Sequence, residues 1–367
     1  VPEAVLAAMA CQPPHPRSRE FNELFVDVCA QLQAFFCTRH EVLVLTASGT
    51  AAMEAAVVNF LRHDDKVVTV AAGKFGERWA ELLGAYGVQT VTLEVPWGEA
   101  LEPEHLRAFL RRHVDAAAVY LTHSETSTGV AHDLPHLAGV VREESEALVV
   151  VDGISSVGVL PFRMDEWGVD VCVSGSQKGA MLPPGLAFVA VADRAWRRSE
   201  RATLPRYYLD CRKARDGLGA GGTPWTPATT LVVGLQKALE ILLADGLEAR
   251  WAEFARQAHS LRAALPALGL SLFAKAPGDA VTAVELPAEI DARRFVRHLQ
   301  DRYRVFVAGG QSQIKKRVFR VGHMGCASLP DLIGLLAVVE LALEDFGWRF
   351  EPGAGVAALQ AAYRNHE

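Results

Sequence analysis

Seven short apolar runs, each separated from the next by a longer stretch, fill the chain from residue 42 to residue 191. They fall at residues 42–45, 66–70, 89–95, 116–121, 147–151, 169–173 and 186–191. Most are apolar at every position. A strand exposed to water on one side would alternate instead, so these read as strands covered on both faces. The segments between them repeat their apolar residues at helical spacing, most clearly at residues 50–62, 76–86, 102–112 and 134–144. Strand, helix, strand in this order gives right-handed crossovers and a mostly parallel sheet with helices on both sides. The prediction is an α/β fold.

The pattern changes after about residue 200. Residues 217–222 carry four glycines, which marks a mobile or closely packed loop. Helical periodicity follows at residues 228–244 and 247–265. Then come short strands near 281–286, 305–308 and 318–321, a helix at 291–302 and a last helix at 330–345. This reads as a smaller C-terminal α+β domain. A chain of 367 residues exceeds the roughly 250–300 that one core usually organises. The expected division is an N-terminal arm (1–14), a large domain (15–250) and a small domain (251–367).

In open parallel sheets, ligands bind beyond the carboxyl ends of the strands, and the chemistry-bearing residues cluster there. The run Val149-Val-Val-Asp-Gly-Ile-Ser-Ser156 ends a buried strand on Asp152, which either contacts a ligand or caps a turn. The next strand ends in Ser174-Gly-Ser-Gln-Lys178. Adjacent parallel strands would bring Lys178 and Asp152 to one sheet edge. A partly desolvated lysine is nucleophilic toward an aldehyde, and a nearby acid can keep a pyridine nitrogen protonated. That pair is what pyridoxal phosphate (PLP) chemistry requires. Thr46-Ala-Ser-Gly-Thr50 opens a helix, where free N–H groups and hydroxyls suit a phosphate or serve as a simple cap. His123-Ser-Glu-Thr-Ser-Thr-Gly129 is a second polar wall or an ordinary Ser/Thr-rich turn. Phe75, between Gly73 and Gly76, either stacks on a planar cofactor or joins the core. Arg320, inside the apolar Val318-Phe-Arg-Val-Gly322, needs an anionic partner: a ligand carboxylate or a protein acid.

Composition removes other classes. The net charge is −6 and the pI about 6.1, without a basic stripe for nucleic acid. The densest basic cluster, Arg194, Arg197, Arg198 and Arg201, reads as a solvated helix face. Residues 334–343, the longest apolar run, are interrupted by Glu340 and fall short of the roughly 20 residues of a membrane span. No signal peptide is visible, although the chain opens at Val1 without a methionine. Six cysteines without a C-x-x-C pair predict neither a metal site nor a disulfide framework, but reduced thiols in the cytoplasm.

Together these segments resemble the class V aminotransferases of PLP fold type I, in particular the alanine–glyoxylate and serine–pyruvate enzymes. Asp152-Gly-Ile-Ser-Ser, Ser174-Gly-Ser-Gln-Lys178, His123-Ser-Glu-Thr-Ser-Thr-Gly129 and Phe319-Arg-Val-Gly-His-Met-Gly325 carry the resemblance, in the family's order, and it spans residues 2–345. It implies that Lys178 forms the Schiff base with pyridoxal 5'-phosphate and shuttles protons, and that Asp152 contacts the pyridine nitrogen. Ser48, Gly49, Thr50 and Gln177 would contact the phosphate. Thr126 would meet the ring's hydroxyl edge, Ile154 would pack under the ring, and Phe75 would stack where relatives often carry tryptophan. Arg320 would bind the substrate's α-carboxylate. Thr223 and Thr226 would reach the phosphate of a second copy, which implies a homodimer with active sites at the subunit interface. Two departures bear on substrate choice. The family's Pro-Gly-Pro-Thr-like opening lies before Val1, and a tyrosine of some relatives is replaced by Thr223.

The expected activity is transfer of an amino group from a small amino acid, alanine or serine, to a 2-oxo acid such as glyoxylate or pyruvate. Aspartate or aminoethylphosphonate is an alternative donor. Rival readings are a lyase of the same fold, such as a cysteine desulfurase, and a non-enzymatic PLP-fold binding module. The lyases carry a histidine before the lysine, where Gln177 stands here. Cys326 reads as a small core residue and His323 as a packed one.

Overall fold

The computed structural model describes residues 1–365. Its strands are β1 (Glu41–Ala47), β2 (Lys66–Ala71), β3 (Gln89–Glu94), β4 (Ala118–Thr122), β5 (Ser124–Glu125), β6 (Val130–Ala131), β7 (Leu148–Asp152), β8 (Val171–Gly175), β9 (Gly185–Val191), β10 (Ser271–Leu272), β11 (Val281–Glu285), β12 (Ala308–Gly309) and β13 (Val318–Gly322).

Seven of these form one sheet in the order β1-β9-β8-β7-β4-β2-β3. The pairs β8–β7, β7–β4, β4–β2 and β2–β3 are parallel. Strand β9 runs antiparallel to both of its neighbours. The central strands β4, β7 and β8 are buried at every residue, as their unbroken apolar sequences predict. Edge strand β3 is only half-buried and correspondingly alternates polar with apolar side chains. Successive residues point to opposite faces. Val42, Val44, Val149 and Val151 therefore enter one apolar layer with Phe21, Phe25 and Phe35, whereas Leu43, Leu45, Leu148 and Val150 enter another with Met53 and Trp79. The parallel strands end at one edge, and that edge carries the loops at residues 46–50, 72–76, 122–130, 152–156 and 176–186.

The sequence pattern does not single out the helix Arg19–Phe35, which closes the first layer. Ser18 caps it, accepting a hydrogen bond from the Phe21 amide at 3.2 Å. The N-terminal segment is a helix, Glu3–Ala10, packed on the helix Thr229–Leu243. The glycine-rich stretch is closely packed only at its start: a Cβ on Gly217 would lie 2.9 Å from the Pro224 nitrogen, whereas one on Gly219 would meet nothing within 4 Å. The arginine cluster departs from expectation. Arg194 bonds Asp170, Glu146 and the Ala147 carbonyl, and Arg198 bonds Asp65 and the Phe60 carbonyl. Two of the four arginines thus tie the helix Asp193–Ser199 down, because apolar neighbours such as Trp196 draw that helix onto the sheet.

The C-terminal sheet is antiparallel, in the order β10-β11-β13-β12. Helices Leu247–Ala264, Ala292–Tyr303, Leu329–Asp345 and Ala354–Arg364 surround a core of Leu261, Val284, Phe295, Phe319 and Leu336. We propose that the two domains meet along the helix Leu247–Ala264. Its Leu247 and Trp251 belong to the core of the large sheet, and its Leu261 belongs to that of the small one. The last two positions of the 251–367 segment lie outside the described residues.

Candidate active site

Asp152 closes β7 and is 4% exposed. One carboxylate oxygen accepts the Ile154 amide at 2.9 Å, and the other has no hydrogen-bond partner among the described residues. Burial pushes its pKa up to about 7, and the nearby Glu125 adds to the effect. The Ile154 amide, Arg78 and Lys178 act in the opposite direction. Lys178 lies in the loop between β8 and β9. That loop is clasped at its base by the buried Ser176, which donates to the Pro183 carbonyl at 2.7 Å and accepts the Leu186 amide at 3.1 Å. Burial and the Arg320 charge hold the Lys178 ammonium below its usual pKa, and Asp152 partly offsets them. The lysine and the acid are thus within electrostatic reach of each other at the same sheet edge.

A cavity of about 470 Å³ opens onto Lys178, Thr126, Phe75 and Arg320, with apolar walls from Val281, Val307 and Met324. Arg320 arrives from β13 of the small domain. Its Nε donates to the Gly309 carbonyl at 2.9 Å and its Nη1 to the Thr126 carbonyl at 2.8 Å. Its partners are carbonyls rather than the acid that an apolar strand would otherwise have to supply. They fix the plane of the guanidinium, and Nη2 has no hydrogen-bond partner among the described residues. That free end is suited to a carboxylate.

The helix Gly49–Val58 begins against Ile154, two residues beyond Asp152. Ser48 occupies its N-cap but makes no side-chain capping bond, so its hydroxyl is available to a ligand. Close approach requires Gly49: a Cβ there would lie 2.7 Å from Ile154 Cδ1. A Cβ on Gly175 would lie 3.1 Å from Gln177 Oε1 and 3.5 Å from the Gly49 nitrogen, which puts the Gln177 carboxamide beside the helix N-terminus. Backbone amides, the Ser48 and Thr50 hydroxyls and Gln177 together form a cradle for an anion. An amine, a buried acid, the apolar side chains of Phe75 and Ile154, and this cradle are the kinds of group that the aldehyde, ring nitrogen, ring faces and phosphate of PLP require.

Three further residues belong to this constellation and were not singled out by their sequence. Glu125 is fully buried. It accepts the Phe75 and Gly76 amides at 3.0 and 2.9 Å, and the Ser127 amide and hydroxyl at 3.1 and 2.5 Å. It passes where Gly73 lacks a side chain, since a Cβ on Gly73 would lie 2.6 Å from the Glu125 carboxyl carbon. Glu125 thereby couples the Phe75 loop to the Thr126 loop. The only carboxylate in the polar run 123–129 was its available signal. Arg78 lies one helical turn beyond Phe75, on the same face. Gln311 lines the cavity, and its amide oxygen is buried without a hydrogen-bond partner.

Thr223 and Thr226 do not join the Lys178 cavity within one chain. They line a separate crevice with Thr46, Tyr208 and Trp225, and the Thr223 hydroxyl bonds the Trp225 carbonyl at 2.6 Å. His323 is packed, bonded to Thr282 and to the Asp279 carbonyl. Cys326 corrects the expectation of a core residue. It is exposed beyond the turn at Gly325, and its sulfur lies 3.3 Å from the Val1 amino group.

Fold and site together define a PLP-dependent transaminase of fold type I. The chain belongs to the class V aminotransferases: the family model "Aminotransferase class-V" matches residues 6–329. It is 42% identical over 363 residues to a Synechococcus sp. (strain PCC 6716) protein described as the small subunit of a soluble hydrogenase, covering 98% of this chain and 94% of the relative. It is 35% identical to the serine–glyoxylate aminotransferase of Methylorubrum extorquens, covering 100% of this chain and 94% of that one. A Thermus thermophilus aspartate aminotransferase of subgroup IV superposes with a TM-score of 0.88 at 35% identity, covering 94% and 97% of the two chains.

Proposed function

We propose that this chain, as a cytoplasmic homodimer, transfers the amino group of a small amino acid, alanine or serine, to a 2-oxo acid such as glyoxylate or pyruvate. The observation that carries this reading is the aim of Arg320. Two carbonyls lock its guanidinium beside the cavity that also holds Lys178. One carboxylate fits that fork, and the amino group of the same molecule then lies toward the lysine. The apolar walls from Val281, Val307 and Met324 favour a short side chain.

Bound in the site, PLP supplies an electron-accepting ring that makes the substrate's Cα–H acidic. Lys178 would hold the cofactor, and its Nζ, with its ammonium pKa lowered by burial, would serve as the base that moves the proton at the substrate's Cα. Asp152 would hold the proton of the ring nitrogen. Phe75 and Ile154 would cover the ring, Thr126 would meet the ring hydroxyl, and Ser48, Gly49, Thr50 and Gln177 would hold the phosphate. Arg320 would orient the substrate through its carboxylate. Beside Thr223 and Thr226, exposed Tyr208 stacks on Trp225 and exposed Tyr207 packs against it at a tilt. This aromatic patch is the surface we assign to the second copy, whose phosphate the two threonines would reach. Six free cysteines fit a reducing compartment.

The test is a donor–acceptor panel. Alanine, serine, aspartate, aminoethylphosphonate and cysteine are each offered with glyoxylate and with pyruvate. Alanine or serine should yield glycine from glyoxylate, and Lys178→Ala should abolish turnover and the visible absorbance of the bound cofactor. Sulfide release from cysteine without amino transfer, or a yellow and active Lys178→Ala protein, would refute the assignment.

A further inference from the structure

Arg78 carries an observation that the roles above do not use. It sits on the helix Lys74–Ala85, one turn after Phe75. Its guanidinium carbon lies 4.8 Å from the centroid of the Phe75 ring. Its Nη1 reaches the Thr50 hydroxyl, 3.4 Å away. The acids on its own helix are engaged elsewhere: Glu77 and Glu81 pair with Lys74 at 3.4 and 2.7 Å. Among the described residues Arg78 makes no ion pair with a carboxylate. Its charge is nevertheless felt inside the site, where it lowers the pKa of Asp152.

A half-buried guanidinium without an acid, touching a hydroxyl of an anion cradle, is short of an anion. The cradle is short of a cation. Ser48, the Gly49 amide, Thr50 and Gln177 offer dipoles but no formal charge, whereas a phosphate ester carries close to two negative charges at neutral pH. We propose that Arg78 is the cation of the cofactor's phosphate site, bonding the phosphate from beside Thr50 while its guanidinium backs the Phe75 ring. The inference rests on the phosphate lying at the helix that begins at Gly49. One arginine then does two things: it neutralises the phosphate, and it covers the face of Phe75 turned away from the cofactor ring. Lysine could supply the charge but not the planar stack.

The experiment compares wild type, Arg78→Ala, Arg78→Lys and Thr50→Ala, each stripped of cofactor and checked for folding by its melting temperature. Dissociation constants for PLP and for pyridoxal, which lacks the phosphate, are read by tryptophan fluorescence quenching. Arg78→Ala should weaken PLP binding about tenfold or more, as expected for losing a charge-assisted bond, while leaving pyridoxal within about twofold. Arg78→Lys should recover part of the loss. Inorganic phosphate should compete with PLP for the wild-type apoprotein and compete less well for Arg78→Ala. Unchanged PLP affinity in Arg78→Ala overturns the inference, including when the dimer dissociates instead, since the arginine would then serve the subunit contact. Equal losses for PLP and pyridoxal also overturn it. If Thr50→Ala is silent as well, the phosphate site itself is misplaced; if Thr50→Ala discriminates between the two ligands and Arg78→Ala does not, only the role of Arg78 falls.

Discussion

A single buried carboxylate, that of Glu125, shows how little of an active site has to touch the reactants. Its two oxygens accept four hydrogen bonds from residues 75, 76 and 127. Without them, the first turn of the Phe75 helix would present unpartnered N–H groups to a dry interior, at about 1–3 kcal/mol each. Glu125→Ala should therefore destabilise the apoprotein by about 3–5 kcal/mol, read as a lower urea midpoint. Glu125→Gln keeps one oxygen for the Phe75 and Gly76 amides but turns an NH₂ toward the Ser127 amide, so it should fall between the two. A Glu125→Ala midpoint equal to wild type would remove the residue from this role. Lys178, Asp152 and Arg320 were legible because each breaks an apolar strand pattern at its end or in its middle. Glu125 sits among polar neighbours, and nothing local marks it. Its meaning depends on a glycine 52 positions earlier, at Gly73, that leaves room for its side chain.

At the level of strands and helices, most strands of the large sheet were legible because hydrophobic burial on both faces leaves a largely apolar run, and edge strand β3 by its alternation of polar with apolar residues. The antiparallel direction of β9 was not, since a buried strand reads alike in either direction. The helix Arg19–Phe35 was missed although its moment is clear in space: Phe21, Phe25, Val28, Leu32 and Phe35 form the buried stripe. Its polar residues are numerous enough to blur that stripe along the chain. The start of the helix Gly49–Val58 gives a sharper test. Gly49→Ala improves helix propensity and meets only the flexible tip of Ile154, at 2.7 Å. Fold stability should thus change by less than about 1 kcal/mol. On the proposed role of Ile154 under the cofactor ring, its displaced side chain would intrude on that ring, and PLP affinity should drop about tenfold, which corresponds to 1.4 kcal/mol. Equilibrium unfolding and cofactor titration on one protein separate these outcomes. Parallel losses in both would mean that Ile154 packs into the core rather than against the ring.

For the molecule as a whole, five buried titratable groups set the response to acid. Burial lowers the pKa of His123 to about 3 and those of His132 and His323 to about 4, from the usual 6.5. Below 6.5 the unfolded chain takes up protons that the folded one refuses, so each histidine removes stability as the pH falls toward 4. Asp152 works in the other direction. Its folded pKa of about 7 exceeds the usual 3.8, so falling pH adds stability between those values, and the Glu125 carboxyl, which burial holds above its usual pKa, acts in the same sense. Three losses against two gains leave a net slope of about 1.4 kcal/mol per pH unit near pH 5. The urea midpoint of the apoprotein should fall from pH 7 to pH 5; a flat profile would mean that these histidines reach water. The placement of Arg320 has a mechanical consequence of its own. It grows from the small sheet yet grips the Thr126 carbonyl of the large domain. Any sliding of one lobe over the other changes the span between Arg320 and the lysine amine. With Arg320 in its proposed role as the carboxylate anchor, the length of amino acid accepted would follow how the lobes seat, and substitutions remote from the cavity would retune it.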